Sequence, residues 1–435
     1  MKRVETLFTG RVYHKGEFKE ACIGVDNGII SFIGKEANAP SYDEKVDFKG
    51  LFIIPGLIDI HAHLRGMRLN YKEDFLSGTS AAAAGGFTLV FDMPNTDPPT
   101  NSRLRLMEKT EEAETQIIID IGFYFGKPEE VSEAEKLVKT HAIGLKLYPE
   151  DYSKSIQPNI VEIVNIVRKN GKRIVFHPED ASIIERNRKA YPDMLKGVDK
   201  HSFIRNVETE LSALDIFYRT FGAGAHATHL TTVESIMKAR ANRFTYDVSV
   251  NHLALTNNDL LTQGGICKVN PPLRSFEERK ALIEAFNEGR IAILITDHAP
   301  HTLEEKNMTL YDEIPSGIPC FETAFSVLLD MVHKAGLNIY RLVEAFTRGP
   351  AEFLGDKKLG TVSEGSIANL TVFNPKEEWK VDPEEFYTKA KHSPFAGRVL
   401  RGRVKATVIR GVVVFQDGEI KVQKGFGKIY GINNY

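Results

Sequence analysis

Hydrophobic and polar positions give the chain three stretches with different rhythms. Near the N-terminus, short alternating runs flank a tight turn. Ile23-Gly24-Val25-Asp26-Asn27-Gly28-Ile29-Ile30 reads as a hairpin, because Asn-Gly accepts the two positive φ angles of a type I′ turn. The rhythm returns near the C-terminus, where Val412-Val413-Val414-Phe415-Gln416-Asp417-Gly418-Glu419-Ile420 carries the Asp-Gly version. Matching ends around a different middle predict one small β domain built from residues 1–50 and 356–435.

The middle, residues 51–355, alternates short apolar strands with helical patterns. Strands are expected at 51–60, 87–92, 117–123, 142–147, 173–177, 224–229, 244–250 and 291–297. Helical spacing runs over 73–84, ending at Gly85, and over 160–169. Eight strands alternating with helices make this an α/β chain and predict a (β/α)8 TIM barrel. An open doubly wound sheet is the competing arrangement. No G-x-G-x-x-G follows the first strand, which weakens a dinucleotide-binding reading. The stretch 178–205 is too irregular to assign, and segments 148–157 and 306–316 are candidate lids.

Composition adds mainly exclusions. The 435 residues are 42% hydrophobic and 26% charged, an ordinary soluble globular balance that suits one large and one smaller domain. A formal net charge of −2 offers no basic surface for nucleic acid or anionic membrane. No apolar run reaches the roughly 18 residues of a membrane span, and the first residues lack a signal-peptide core. The 3 cysteines are far apart, with no CxxC pair, which fits a reducing cytoplasm and argues against a thiolate zinc site. Oligomeric state is not readable, and a homo-oligomer stays open.

In a barrel of this kind chemistry belongs at the C-terminal ends of the strands. His61 and His63 end the first strand, two apart, and so point to one side as a pair of imidazole ligands. Arg65 continues that face with a positive fork. Asp92 to Thr96 ends strand two, Lys146 strand four, His177 strand five, His229 strand six and Asp297 strand eight. Four histidines and an aspartate at strand ends suit one or two zinc ions. Such a metal lowers the pKa of bound water to about 7 and polarises a carbonyl. Asp297 can take a proton and pass it to a leaving nitrogen. The pattern predicts a hydrolase acting on a negatively charged small molecule.

A lone histidine is more often packed than ligating. His14, His141, His201, His333 and His392 are therefore left as structural, as is His226, which faces away from His229 on one strand. His252 and His298 stay ambiguous. Lys146, in Gly144-Leu145-Lys146-Leu147-Tyr148, has a plain reading as a snorkelling or paired surface group. The sharper reading is a buried, neutral amine that takes up carbon dioxide as a carbamate able to bridge two metals.

Together these motifs resemble the dihydroorotases, within the metal-dependent amidohydrolase superfamily. Asp59-Ile60-His61-Ala62-His63-Leu64-Arg65 is similar to the family's first motif, and Thr296-Asp297-His298-Ala299-Pro300-His301, with Lys306, to its second. Gly85-Gly86-Phe87-Thr88, Met93-Pro94-Asn95-Thr96 and Val269-Asn270-Pro271-Pro272-Leu273-Arg274 also match. The resemblance implies a barrel with a small β-sandwich and two zinc ions. His61 and His63 would hold one zinc, His177 and His229 the other, and carboxylated Lys146 would bridge them. Asp297 would ligate zinc and act as the acid/base. Arg65, Asn95 and His301 would bind the substrate carboxylate. The implied reaction is the reversible closure of N-carbamoyl-L-aspartate to L-dihydroorotate, a step of pyrimidine synthesis. Gly66-Met67 replaces a common Pro-Gly after Arg65, and Ile295 stands where a small residue is usual. The rival readings are another cyclic amidohydrolase, such as a hydantoinase, dihydropyrimidinase or allantoinase, and a non-catalytic scaffold on the same fold. Arg65, Asn95 and His301 discriminate against the first, and the complete ligand set against the second.

Overall fold

The structure, a computed structural model, describes residues 3–153, 158–190 and 197–432. Its N-terminal strands are β1 (Val4–His14), β2 (Glu17–Asp26), β3 (Ile29–Gly34) and β4 (Tyr42–Pro55). The barrel strands are β5 (Leu57–Ala62), β6 (Phe87–Asp92), β7 (Asp120–Gly126), β8 (Gly144–Leu147), β9 (Arg173–Phe176), β10 (His226–Ala227), β11 (Thr245–Tyr246), β12 (Val248–Ser249) and β13 (Leu294–Ile295). The chain ends with β14 (Leu370–Lys380), β15 (Val399–Ile409), β16 (Val412–Gln416) and β17 (Glu419–Ile420).

Both termini do build one sheet, in the order β17-β16-β15-β14-β4-β1-β2-β3. The two predicted turns are present, with positive φ at Asn27 and Gly28 and at Asp417 and Gly418. Strand β4 joins the halves, pairing parallel with β1 and antiparallel with β14. Phe8, Val12, Ile23, Ile53, Val372 and Val408, from both ends of the chain, pack into one buried cluster on this sheet.

That arrangement corrects the expected first barrel strand. The apolar run from Leu51 to Ile54 lies in β4 of the terminal sheet, and only Leu57 onward enters the barrel. The break falls at Gly56, where an added Cβ would lie 2.3 Å from Thr88 Oγ1. Both sheets are buried here, so apolar content cannot mark the crossing. The end of the chain also departs from the expected terminal β region, since Ile429 bridges to Ile121 of β7.

The fold is TIM-barrel-like. Strands β5 to β11 form a parallel sheet in sequence order. The seventh position continues through Asp247 into β12, which pairs parallel with β13. A bridge from Ala62 to His298 joins the eighth position back to the first. The sixth and eighth positions have only two strand residues each and the seventh two such pairs broken at Asp247, where longer strands were expected at 224–229, 244–250 and 291–297. Their flanks bend away to carry site residues: His229 and Asp297 both have positive φ, at 45° and 50°.

Local signals set the helices around the ring. Asp74 and Ser77 form a capping box that starts helix Phe75–Ala84, two residues after the expected start. Helix Pro158–Lys169 covers the second expected segment. Within the irregular stretch 178–205 lie helices Ala181–Ala190 and His201–Ile204, while 191–196 and part of the first candidate lid, 154–157, fall outside the described residues. Among the described residues no helix is long and apolar enough to cross a membrane.

Candidate active site

The C-terminal ends of the barrel strands surround a cavity of about 300 Å³. His61, His63, Arg65, Asn95, Lys146, His177, His229, Asp297 and His301 all line it. Every site residue expected from the sequence therefore reaches one chamber, although they come from six strand ends and a loop.

The first and eighth strands make the tightest group. Asp297 N–H donates to His61 O at 3.1 Å and His63 N–H to His298 O at 2.8 Å, so the two strand ends are locked side by side. Asp297 Oδ1 lies 3.5 Å from His61 Nε2 and 3.3 Å from His63 Nε2. Ligand atoms of these three buried residues lie within 4.8 Å of one another, a spacing that fits one metal ion. Behind them, Asp59 accepts from His61 N–H at 3.1 Å and from Thr296 N–H at 3.3 Å, tying the same two strands one layer deeper.

His177, His229 and Lys146 face the same chamber but stand outside that group. The His229 ring centroid is 5.4 Å from His61 and 4.5 Å from His177. His177 Nε2 is held at 2.5 Å by Glu179 Oε2, which Arg205 binds at 2.9 Å. Burial favours a protonated Glu179, yet Arg205 and His177 bring its pKa down to about 2. Burial, and then the neighbouring cations, keep His61 and His229 well below the usual histidine range, so both imidazoles are neutral and able to bind metal.

Lys146 is fully buried, which removes the surface-lysine reading. Among the described residues its Nζ has no hydrogen-bond partner, nor does His229 Nδ1. Desolvation brings the Lys146 pKa down to about 7, against opposing pulls from Asp297 and Asp247. Two orphaned buried nitrogens beside a histidine–aspartate group fit a metal-holding centre, because buried polar atoms normally have partners.

Second contacts orient these ligands. Asn95 Oδ1 faces His63 Nδ1 at 2.7 Å, and Thr228 Oγ1 faces His61 Nδ1 at 2.6 Å. Thr228 in turn donates to Asp247 at 3.1 Å. Amide-oxygen and hydroxyl partners of this kind fix the ring and tautomer of metal-binding histidines. Thr228, Asp247, Glu179 and Arg205 were missed in the sequence. Only Glu179, two after His177, sits where spacing could have pointed to it.

At the other side of the chamber Arg65 is 6% exposed and makes no ion pair among the described residues. Its Nε donates to Pro300 O at 3.2 Å and its Nη2 to His301 Nε2 at 3.0 Å. Burial, then Arg65 and Lys72, hold His301 below the usual histidine range. A backbone φ of 60° at Arg65 turns the side chain into the cavity. Beneath it, Asp92 accepts from Leu64 N–H at 2.7 Å and forms a fully buried ion pair with Lys109 at 2.6 Å. Lys306 ties the far loop together by donating to Pro315 O and Gly317 O at 2.9 and 2.8 Å.

The remaining histidines lie in other settings. His226 bonds Asp247 at 2.7 Å, facing away from the chamber. His252 lies between Ser249 Oγ and Pro271 O, and His298 stacks on Phe321. The ambiguous pair is thus packed rather than open.

Comparison with known proteins agrees with this geometry. The amidohydrolase family model matches residues 52–414. A dihydroorotase from Thermococcus kodakarensis is 35% identical over 426 residues, covering 96% of each chain. One from Carboxydothermus hydrogenoformans is 33% identical, covering 92% of this chain and 95% of the relative. Among solved structures, L-hydantoinase from Arthrobacter aurescens superposes with a TM-score of 0.90 at 26% identity, over 98% of this chain and 99% of that one. The chain belongs to the amidohydrolase family and, within it, to the dihydroorotases.

Proposed function

We propose that the protein is a dihydroorotase that catalyses the reversible, zinc-dependent closure of N-carbamoyl-L-aspartate to L-dihydroorotate. The observation that carries this reading over a hydantoinase or allantoinase is Arg65. A guanidinium buried beside the cavity without a carboxylate partner is costly unless an anion completes it. Both dihydroorotate and carbamoyl aspartate bring a carboxylate, whereas neutral hydantoin does not.

His61, His63 and Asp297 would hold one zinc, His177 and His229 a second, and Lys146, as its carbamate, would bridge them. A pKa brought down to about 7 leaves much of the Lys146 amine neutral near neutral pH, which supports that modification. Bound there, zinc supplies an acidified water and a polarised carbonyl. Arg65 forks onto the substrate carboxylate, with Asn95 and His301 beside it. Asp297 takes the proton of the attacking water and delivers it to the ring nitrogen as the amide C–N bond breaks. In the closing direction the same carboxylate takes the proton from the carbamoyl nitrogen as the C–N bond forms. It returns that proton to the departing oxygen, which leaves as water when the C–O bond breaks. The histidine–aspartate spacing and the orphaned Lys146 Nζ support the metal assignment.

We also divide the chain into a barrel over 51–355 and a small β-sandwich from 1–50 and 356–435. The pairing of β4 through Pro55 supports a boundary a few residues later than residue 50.

The test is dihydroorotate hydrolysis by the purified protein, with and without a zinc chelator, beside hydantoin and allantoin. Turnover of dihydroorotate that the chelator removes and zinc restores is the expected result. Turnover of hydantoin or allantoin with none of dihydroorotate would overturn it.

A further inference from the structure

The face of the barrel opposite the active site carries a second chamber, and we infer that it binds a phosphate-bearing small molecule of the nucleoside polyphosphate class. The chamber encloses about 810 Å³, within the range of small-molecule sites. It opens at the N-terminal ends of the later strands: Arg173 begins β9, His226 begins β10 and Thr245 begins β11, while Ile293 immediately precedes β13.

Four guanidinium groups line it, from Arg173, Arg240, Arg243 and Arg290. The single lining carboxylate, Glu352, is already held by Arg348 at 2.8 Å. Arg290 reaches Glu288 through Nη2 at 2.6 Å, but its buried Nε has no partner. Arg173 rests over the Phe353 ring at 5.4 Å. Among the described residues Arg240 and Arg243 have no carboxylate within 4.0 Å. A chain with net charge −2 has thus gathered four positive forks around one opening, with one carboxylate that is already paired.

Guanidinium forks match phosphate oxygens two at a time, and several of them facing one space favour an oligophosphate over a single carboxylate. The chamber is too large for inorganic phosphate alone. Tyr246 and Phe353 supply aromatic wall beside the arginines, which suits a planar base. The Tyr246 hydroxyl donates to Arg290 O at 2.5 Å, so the ring is fixed in place.

The chamber is also wired to the barrel interior. His226 lines it and bonds Asp247 Oδ2 at 2.7 Å; Asp247 Oδ1 accepts from Thr228 at 3.1 Å, and Thr228 meets His61 at 2.6 Å. His226, in the chamber wall, is therefore three hydrogen bonds from a proposed zinc ligand. The inference itself stands on the floor's own residues and does not depend on the reaction assigned to the other end.

The experiment is calorimetric titration of the full chain with adenosine triphosphate and with pyrophosphate, on the wild type, Arg240→Ala/Arg243→Ala and Arg65→Ala. Both arginines of the pair are exposed, so the double variant should fold, read as unchanged dihydroorotate turnover without added anion. The expected result is binding of both probes, tighter for the nucleotide and weaker at high salt. It should fall at least tenfold in the double variant and stay unchanged in Arg65→Ala. No binding at millimolar probe would overturn the site, as it would if an acidic protein were the true occupant. Binding lost in Arg65→Ala but kept in the double variant would place the anion at the active site instead. Equal affinity for the two probes would overturn the nucleoside assignment.

Discussion

The two ends of the barrel carry chambers of opposite construction. At the C-terminal end about 300 Å³ is enclosed by buried groups, most of them tied to a partner that sets their direction. His61 leans on Thr228, His63 on Asn95 and His177 on Glu179. At the N-terminal end about 810 Å³ is bordered by four arginines, three of them exposed and, among the described residues, without a carboxylate within 4.0 Å. Chemistry needs side chains held within a fraction of an ångström, and burial with second contacts does that. Binding of a charged ligand needs only charge and reach. The same fold thus spends order where bonds must break, and leaves conformational freedom where a ligand need only be held.

The sharpest way to break the comparison is at Asp297. Asp297→Asn should lower kcat for dihydroorotate by about 10²–10⁴-fold, the usual contribution of a positioned acid/base. Arg65→Ala should instead act mainly on KM, raising it about 10- to 100-fold for the loss of a charged hydrogen-bond pair. Arg240→Ala/Arg243→Ala should change neither. Steady-state kinetics on the four proteins checks all of this together. Equal kcat losses in Asp297→Asn and Arg65→Ala would erase the division of labour within the active site.

Much of the active site was legible in the chain because strand geometry makes it local. His61 and His63 share a face by spacing alone, and strand ends are where a barrel puts its reactive groups. What stayed hidden depends on distant segments meeting. Thr228 supports His61 across 167 residues, and Arg205 reaches Glu179 across 26. Neither partner carries a mark in its own neighbourhood. The floor was hidden for a different reason. Arg173, the Arg240/Arg243 pair and Arg290 lie far apart in a nearly neutral chain, and only closing the barrel puts them around one opening. The crossing from β4 into the barrel was misplaced because the apolar run Leu51 to Ile54, buried at Ile53 and Ile54 in the terminal sheet, reads the same as a barrel strand.

Ion pairs extend the contrast to stability. Asp92 and Lys109 are fully buried at 2.6 Å beneath Arg65. Asp92→Ala or Lys109→Ala strands the partner in the core, and should cost about 3–5 kcal/mol. The exposed pair of Arg348 and Glu352, beside the floor, should cost about 0–1 kcal/mol when either member is removed. Chemical denaturation of the single variants measures both. Comparable losses would mean that the floor is as tightly built as the active site.

Lys146 offers the smallest and most specific effect, per unit of pH. Burial holds its folded pKa at about 7, against about 10.4 in the unfolded chain. Between those values the unfolded chain binds one proton that the folded one does not. Stability of the zinc-free, uncarboxylated protein must therefore rise with pH across that window, by at most about 1.4 kcal/mol per unit. Below about pH 7 both states bind the proton and the penalty is constant. Lys146→Met removes one titrating group and should lower the slope by up to about 1.4 kcal/mol per unit. It leaves the part due to Lys306 and Lys268, which burial brings down to about 7 and about 8. The Arg240→Ala/Arg243→Ala variant should keep the whole of the slope, since those guanidiniums stay charged throughout. Denaturation midpoints at about pH 6, 7, 8 and 9 read the slope directly. A slope as steep in Lys146→Met as in the wild type would assign it to those other groups. Lys146 would then lose its standing as the neutral amine that a carbamate requires.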